Sequence, residues 1–232
     1  MGRCASNCSS AQNGSLFTKR QQCRGPMTTT VGIKTTDGIV LATDRRATMG
    51  YYVADKDVVK IEALDEDSAI TIAGSVSAAQ GYAHMLRLNL EYTKARRGWA
   101  LSPQELAKLA AHSIQRAGGI YGQFILATRN PAGTHLWDVG GDGSLIVKKD
   151  YTVTGSGTGP AIGVLESADW SKVKNLKDAV DLAMRAVRAS TQRDVASGNG
   201  LIVYTLPNSG PSQMRAFVFN QEVVEETMVV PQ

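Results

Sequence analysis

From Thr28 onward, short apolar runs rich in β-branched residues alternate with turn signals. "TTTVGIKTT" at 28–36 and "IVLATD" at 39–44 flank Asp37-Gly38, a hairpin signal, so the pattern predicts two antiparallel strands. "VVKIEAL" at 58–64 and "SAITIAG" at 68–74 predict a second pair across the acidic turn at 65–67. The period then lengthens. Ala79, Ala83, Leu86 and Leu90 form one stripe of a helix over Val76 to Arg97, with basic residues near its C-terminal end. A second helix opens on "SPQE", where Ser102, Pro103 and Glu105 predict a capping box. Its expected stripe is Leu106, Leu109, Ala110 and Ser113, and Gly118-Gly119 ends it.

Strand patterns return in "YGQFILATR", "THLWDV", "GSLIVKK" and "YTVTGSG". A third helix is expected from Leu176 to Gln192, buried through Leu176, Ala179, Val180, Ala183 and Val187. "GLIVYTL" and "QMRAFVF" predict two closing strands. Strand pairs before helices, rather than βαβ alternation, imply an α+β architecture of antiparallel sheets covered by segregated helices. There is no interior linker or repeat, so residues 28–232 are expected to form one domain.

The first 27 residues differ from the rest. They hold four of the 25 basic residues (Arg3, Lys19, Arg20, Arg24) and no acid, leaving 21 bases against 21 acids in the body. The net charge of +4 therefore belongs to the leader, and a nucleic-acid partner for the body loses its electrostatic argument. All three cysteines, Cys4, Cys8 and Cys23, also lie there, which excludes a disulfide framework in the body and fits no familiar zinc spacing. The leader lacks the apolar core of a signal peptide, and no run approaches the ~18 apolar residues of a membrane span. The expectation is a soluble, cytoplasmic body with no membrane partner, metal or cofactor.

Charged residues inside strand-like runs need a reason, because burying an unpaired charge is costly. Asp44 closes an apolar run and Lys60 sits in "VVKIEA"; taken singly, each reads as the solvated face of a half-buried strand. "TGSGTG" at 154–159 is a small-residue loop that matches neither phosphate-binding fingerprint. In "RDVASG", Asp194 and Ser197 could cap the preceding helix. His84, His112 and His135 are isolated, so any nucleophile here needs a base other than histidine. A threonine placed first by cleavage carries its own base, since an α-amine has a pKa near ~7.7–8.0. A lysine ammonium could lower that value and a carboxylate could hold the lysine charged; Lys60 and Asp44 suit those roles. Gly74, at a strand-to-helix turn, suits an oxyanion donor. Spacing alone does not establish this scheme.

"TTTVGI", "VLATDRRATMGY", "VVKI", "TIAGSVSAAQ", "VTGSG", "GVLE" and "RDVASGNG" occur together and in order. As a set they resemble the proteasome β subunits of archaeal type, across essentially all of residues 28–232. The resemblance implies an N-terminal-nucleophile hydrolase fold, a four-layer αββα sandwich of two antiparallel sheets flanked by helices. It implies a threonine endopeptidase inside stacked seven-membered rings, partnered by α-subunit rings, other β subunits and a regulatory ATPase, and acting on unfolded polypeptide. Position by position, Thr28 matches the nucleophile, with Asp44 and Lys60 beside it. Ser156, Asp194 and Ser197 match the polar surround of the terminal amine. Arg46 matches a structural arginine, and Gly74 the oxyanion donor. Ala47, Val58, Ile72 and Val76 match the walls of the pocket that chooses the residue before the cut, with Glu62 and Gln80 near its edge. Small apolar walls imply cleavage after hydrophobic residues, although Glu62 could admit basic ones.

The family usually carries glycine before the nucleophile and cleaves itself from a propeptide; here Met27 follows Pro26. Either the Met27–Thr28 bond is cut autocatalytically, or Met27 is the true start and an aminopeptidase removes it. The composition of residues 1–26 favours the second. A shorter bacterial two-ring relative and a silent assembly subunit are the competing readings; the retained Thr28, Asp44, Lys60 and serine–aspartate set argues against silence.

Overall fold

The computed structural model of the chain describes residues 27–220 and 223–229; the leader expectation for residues 1–26 lies outside them. Two antiparallel sheets make the centre. The first contains β1 (Thr30–Lys34), β2 (Gly38–Asp44), β11 (Tyr151–Thr154), β12 (Leu201–Pro207), β13 (Gln213–Asn220) and β14 (Val223–Val229). Its order is β11-β1-β2-β12-β13-β14. The second contains β5 (Ile61–Asp65), β6 (Ser68–Thr71), β8 (Gly122–Asn130), β9 (Gly133–Gly140) and β10 (Leu145–Lys148). It runs β10-β9-β8-β6-β5, and the short β7 (Ala73–Gly74) pairs with β8. A separate ribbon pairs β3 (Ala47–Met49) with β4 (Tyr52–Asp55).

Period-two alternation gives each sheet two apolar faces, and three clusters result. Ile39, Leu41, Ile125, Leu136, Ile202 and Tyr204 fill the space between the sheets. On the other face of β2, Val40 and Ala42 pack under α3 (Thr158–Glu166) and α4 (Leu176–Thr191), meeting Ala161, Ala183 and Val187. Outside the second sheet, Phe124 and Leu126 meet α1 (Val76–Arg97) and α2 (Pro103–Arg116) through Ala83, Leu86, Leu106 and Ile114. Helices, sheet, sheet and helices follow one another, as the four-layer α+β expectation requires. Among the described residues, no helix is long and apolar enough to cross a membrane.

Local signals explain the element ends. Ser102 caps α2 by accepting from the Glu105 amide, and the Glu105 carboxylate accepts from the Ser102 amide at 2.9 Å. Gly98 stops α1 in a left-handed conformation, its N–H donating to the Lys94 carbonyl. The buried stripe of α1 is the expected one, joined by Tyr82. That of α2 is rotated: Ala107, Ala111 and Ile114 join Leu106 and Ala110 in the core, while Leu109 and Ser113 are half-buried. Four elements, β3, β4, α3 and β14, exceed the sequence expectation. The β3–β4 ribbon is exposed or half-buried and so lacks the alternation that marks a core strand. Helix α3 is short and begins inside the glycine-rich run taken as a loop. Strand β14 adds an edge beyond the expected last strand.

Candidate active site

Strand ends converge on Thr28. The residue lies just before β1, whose register sets Thr30 opposite both Thr43 and Thr154. That pairing brings Thr28 beside the end of β2, which closes on Asp44, and beside the turn after β11, which carries Ser156. Lys60 immediately precedes β5 and its carbonyl accepts from the Ile72 amide at 2.9 Å, tying it to the segment that ends in Gly74. Asp194 and Ser197 lie between α4 and β12, and Leu201 of β12 pairs with Asp44.

Asp44 and Lys60 are not the solvated strand faces that each suggests alone: they are 0% and 6% exposed. The buried carboxylate is compensated by five donors. Its Oδ1 accepts from Thr28 Oγ1 at 2.6 Å, from the Thr29 amide at 3.0 Å and from Lys60 Nζ at 2.7 Å. Its Oδ2 accepts from the amides of Arg46 and Gly198, each at 3.0 Å. Lys60 Nζ also donates to Thr28 Oγ1, so the threonine hydroxyl is held between an ammonium and a carboxylate. Desolvation pushes the Lys60 ammonium below the ordinary lysine range, opposed by Asp44 and more weakly by Asp194, while Arg46 adds to the lowering.

A second network surrounds the backbone nitrogen of Thr28. That nitrogen donates to Ser156 Oγ at 3.2 Å, and Ser156 Oγ donates to Asp194 Oδ2 at 2.6 Å. Ser197 Oγ donates to the same oxygen at 2.6 Å. Rather than capping α4 with their side chains, Asp194 and Ser197 face this network. Gly155, at φ +96, brings the turn against the Thr28 carbonyl, where any Cβ would collide. The Gly157 amide donates to that carbonyl at 3.2 Å.

Gly74 sits at φ +129 just before α1, and a Cβ there would lie 2.5 Å from the Tyr121 carbonyl. A cavity beside Thr28 and Gly74 is lined by Ala47, Val58, Ile72, Val76 and Gln80, with Thr48 and Met27. Met27 forms part of its wall, its sulfur accepting a weak 3.5 Å contact from Thr48 Oγ1. Glu62 is drawn aside by Arg87, whose guanidinium nitrogen lies 3.1 Å from its carboxylate. Arg46 is structural in its contacts: Nε donates to Asn199 Oδ1 at 2.8 Å and its guanidinium to the Val195 carbonyl at 2.9 Å.

Some residues of the constellation carried no sequence signal. Thr29 reads as an ordinary strand residue, yet it precedes β1 and its hydroxyl lies 2.7 Å from Ser197 Oγ. Ser190 on α4 donates to the Gly157 carbonyl at 2.6 Å, and Asn199 takes φ +66 to receive Arg46. Only the fold brings these positions together, since Thr29 and Ser197 are 168 residues apart.

Known proteins resemble this chain closely. The family model described as proteasome subunit matches residues 27–206. Proteasome subunit beta of Haloferax volcanii is 45% identical over 184 residues, covering 79% of this chain and 74% of the relative. The proteasome subunit beta of Haloquadratum walsbyi is 41% identical over 183 residues, 79% of this chain and 74% of the relative. Proteasome subunit beta 2 of Haloarcula marismortui is 39% identical over 186 residues, 79% of each chain.

Proposed function

The chain belongs to the proteasome subunit family as a β subunit, which makes it part of a protease, and from that premise we propose that it is a catalytic subunit acting as a threonine endopeptidase. The reading rests on one observation above the others: Thr28 Oγ1 is in hydrogen-bond contact with both Asp44 and Lys60 in a buried site.

Removal of Met27 turns the Thr28 nitrogen from an amide into an α-amine. That amine takes the hydroxyl proton as Oγ1 attacks the carbonyl carbon of the scissile bond. The Lys60 ammonium favours the developing alkoxide and holds the amine's pKa down, while Asp44 keeps the ammonium charged. The Gly74 N–H is assigned to the oxyanion. The amine then gives its proton to the leaving nitrogen, and the acyl group rests as an ester on Oγ1. Water attacks that ester with the amine again as base, and release of the acid restores Thr28. Ser156, linked to Asp194, orients the amine throughout, and Ser197 braces the same carboxylate.

The cavity walls favour an apolar side chain before the cut, and the withdrawal of Glu62 toward Arg87 supports that preference over a basic one. The expected setting is a cytoplasmic core of stacked seven-membered rings, with α-subunit rings, further β subunits and a regulatory ATPase delivering unfolded chains. Thr28→Ala tests the nucleophile. Peptide hydrolysis by the assembled particle is expected to drop by more than about a thousandfold with assembly intact. Full activity in that variant would remove the assignment.

A further inference from the structure

Asp44 and Lys60 are held 2.7 Å apart, yet the chain between them leaves the core. The β3–β4 ribbon is exposed or half-buried, Val58 is half-buried and Val59 is exposed; sheet pairing resumes only at Lys60, whose carbonyl accepts from the Ile72 amide, and at Ile61 opposite Thr71. Beside the Asp44–Lys60 contact itself, two contacts of Arg45 close its base. The Val58 amide donates to the Arg45 carbonyl at 3.0 Å, and the Arg45 guanidinium pairs with the Asp57 carboxylate. On its other side, the Arg45 amide donates to the Gly198 carbonyl at 3.1 Å. The Gly198 amide in turn holds Asp44 Oδ2. Arg45 therefore joins the segment that fixes Asp44 to the segment that leads into Lys60 and the pocket wall at Val58.

The ion pair is anchored at one end. The Arg45 side chain is 10% exposed and that of Asp57 is 71% exposed. Arg45 Nε is buried without a hydrogen-bond partner, so the Asp57 carboxylate is the compensation for a desolvated guanidinium. A pair of two mobile surface chains contributes little; here one partner is fixed in the interior and the other is drawn down to it. The pair's effect is geometric: it bears on the path of residues 56–59, which leads into Lys60.

Resting on the role proposed for Lys60, we propose that the Arg45–Asp57 ion pair is a latch that positions Lys60 and Val58. Arg45 and Asp57 are positioning residues, and neither touches substrate. Asp57→Asn is nearly isosteric and lies at the surface, so it opens the latch without emptying the interior. Opening it moves Lys60 away from Thr28 and Asp44, which lowers kcat more than it raises KM.

The test uses the assembled particle and two readouts. Lysines are acetylated with limiting acetic anhydride and quantified by peptide mass spectrometry, with exposed Lys94 as the internal standard. Lys60 is expected to react slowly in the unaltered protein and several-fold faster in D57N, with Lys94 unchanged. In D57N, kcat for a short peptide is expected to fall about tenfold, Asp57→Glu is expected to restore most of it, and R45Q/D57N is expected to be no worse than the weaker single variant. Salt supplies a check that needs no variant: high ionic strength, which screens the pair, moves the unaltered protein toward D57N and leaves D57N where it was. Unchanged Lys60 labelling or unchanged kcat in D57N overturns the latch, and so does additivity in the double variant. Loss of activity in Thr28→Ala beside full activity in D57N sinks the latch alone, whereas activity persisting in Thr28→Ala sinks the reading of the site itself.

Discussion

The hydroxyl of Thr28 donates to Oδ1 of Asp44 at 2.6 Å, and the same oxygen accepts from Lys60 Nζ at 2.7 Å. One carboxylate oxygen thus sets the position of a hydroxyl and of an ammonium that touch each other. Its second oxygen is held by two backbone amides. The carboxylate cannot turn without leaving donors unpaired, so the geometry around Thr28 is built into the end of β2.

Asp44→Asn tests that rigidity. Either orientation of the amide directs an NH2 group at donors that meet a carboxylate oxygen in the unaltered protein: Thr28, Thr29 and Lys60 on one side, Arg46 and Gly198 on the other. The buried Lys60 ammonium also loses its counter-charge. A loss of about 3 kcal/mol or more is expected, since removing one partner of a buried pair strands the other. For a chain of this size that is a Tm fall on the order of 6–12 °C, read by scanning calorimetry, together with loss of peptide hydrolysis. An unchanged Tm would show that the network is not holding the site.

Lys60 sets a pH dependence. Burial lowers its pKa below the ordinary value, so the folded chain releases this proton before the unfolded chain does. Catalysis that needs the ammonium then loses activity as pH rises through the lowered value, and the alkaline limb of kcat falls below the usual lysine figure of ~10.4. Stability runs the other way. Between the lowered value and the unfolded one, the unfolded chain binds more protons, so this group's contribution to stability rises with pH. Residual activity of Lys60→Arg, which stays charged, is expected to lack the limb. A limb in the unaltered protein at or above the ordinary lysine value would contradict the assignment.

Gly74→Ala probes the oxyanion donor. At φ +129 the position favours glycine, and the added Cβ meets the Tyr121 carbonyl at 2.5 Å, so the turn must shift. A donor displaced from the oxyanion costs about 10²–10³ in kcat, with KM changing much less. Gly50→Ala is the control: its φ is +64 and nothing lies within 4 Å of its Cβ, so activity is expected to hold. Steady-state kinetics on both variants separates a lost donor from general backbone strain.

Val76 tests the pocket. It opens α1, lines the cavity and is 43% exposed, so trimming it to alanine leaves the core intact. Val76→Ala widens the cavity and is expected to raise kcat/KM after phenylalanine relative to alanine by roughly tenfold, the low end for a change of a methylene or so in an apolar pocket. An unchanged ratio across a peptide series would place the specificity wall elsewhere.

Much of this was legible in the sequence because strong local signals agreed. The capping box at Ser102 and Glu105, the α1 stripe and the Asp37-Gly38 turn needed no tertiary information. Asp44 and Lys60 stood out as charges in apolar runs, but whether they faced solvent or each other depended on strand register, which no local window contains. The same limit hid Thr29: its hydroxyl looks like any β-branched strand residue until Ser197 is brought to it from the far end of the chain. Helix α3 was masked by its own glycines, and the β3–β4 ribbon by its lack of a buried face. Family resemblance supplied Ser156 and Asp194, where spacing alone suggested a loop and a helix end.

The central claim is that the Thr28 α-amine is free and serves as the base. Intact-mass and N-terminal peptide analysis of the purified, active particle tests it most directly. The account predicts a chain that begins at Thr28 in proportion to its peptidase activity. A fully active particle whose chains still carry Met27 would contradict it.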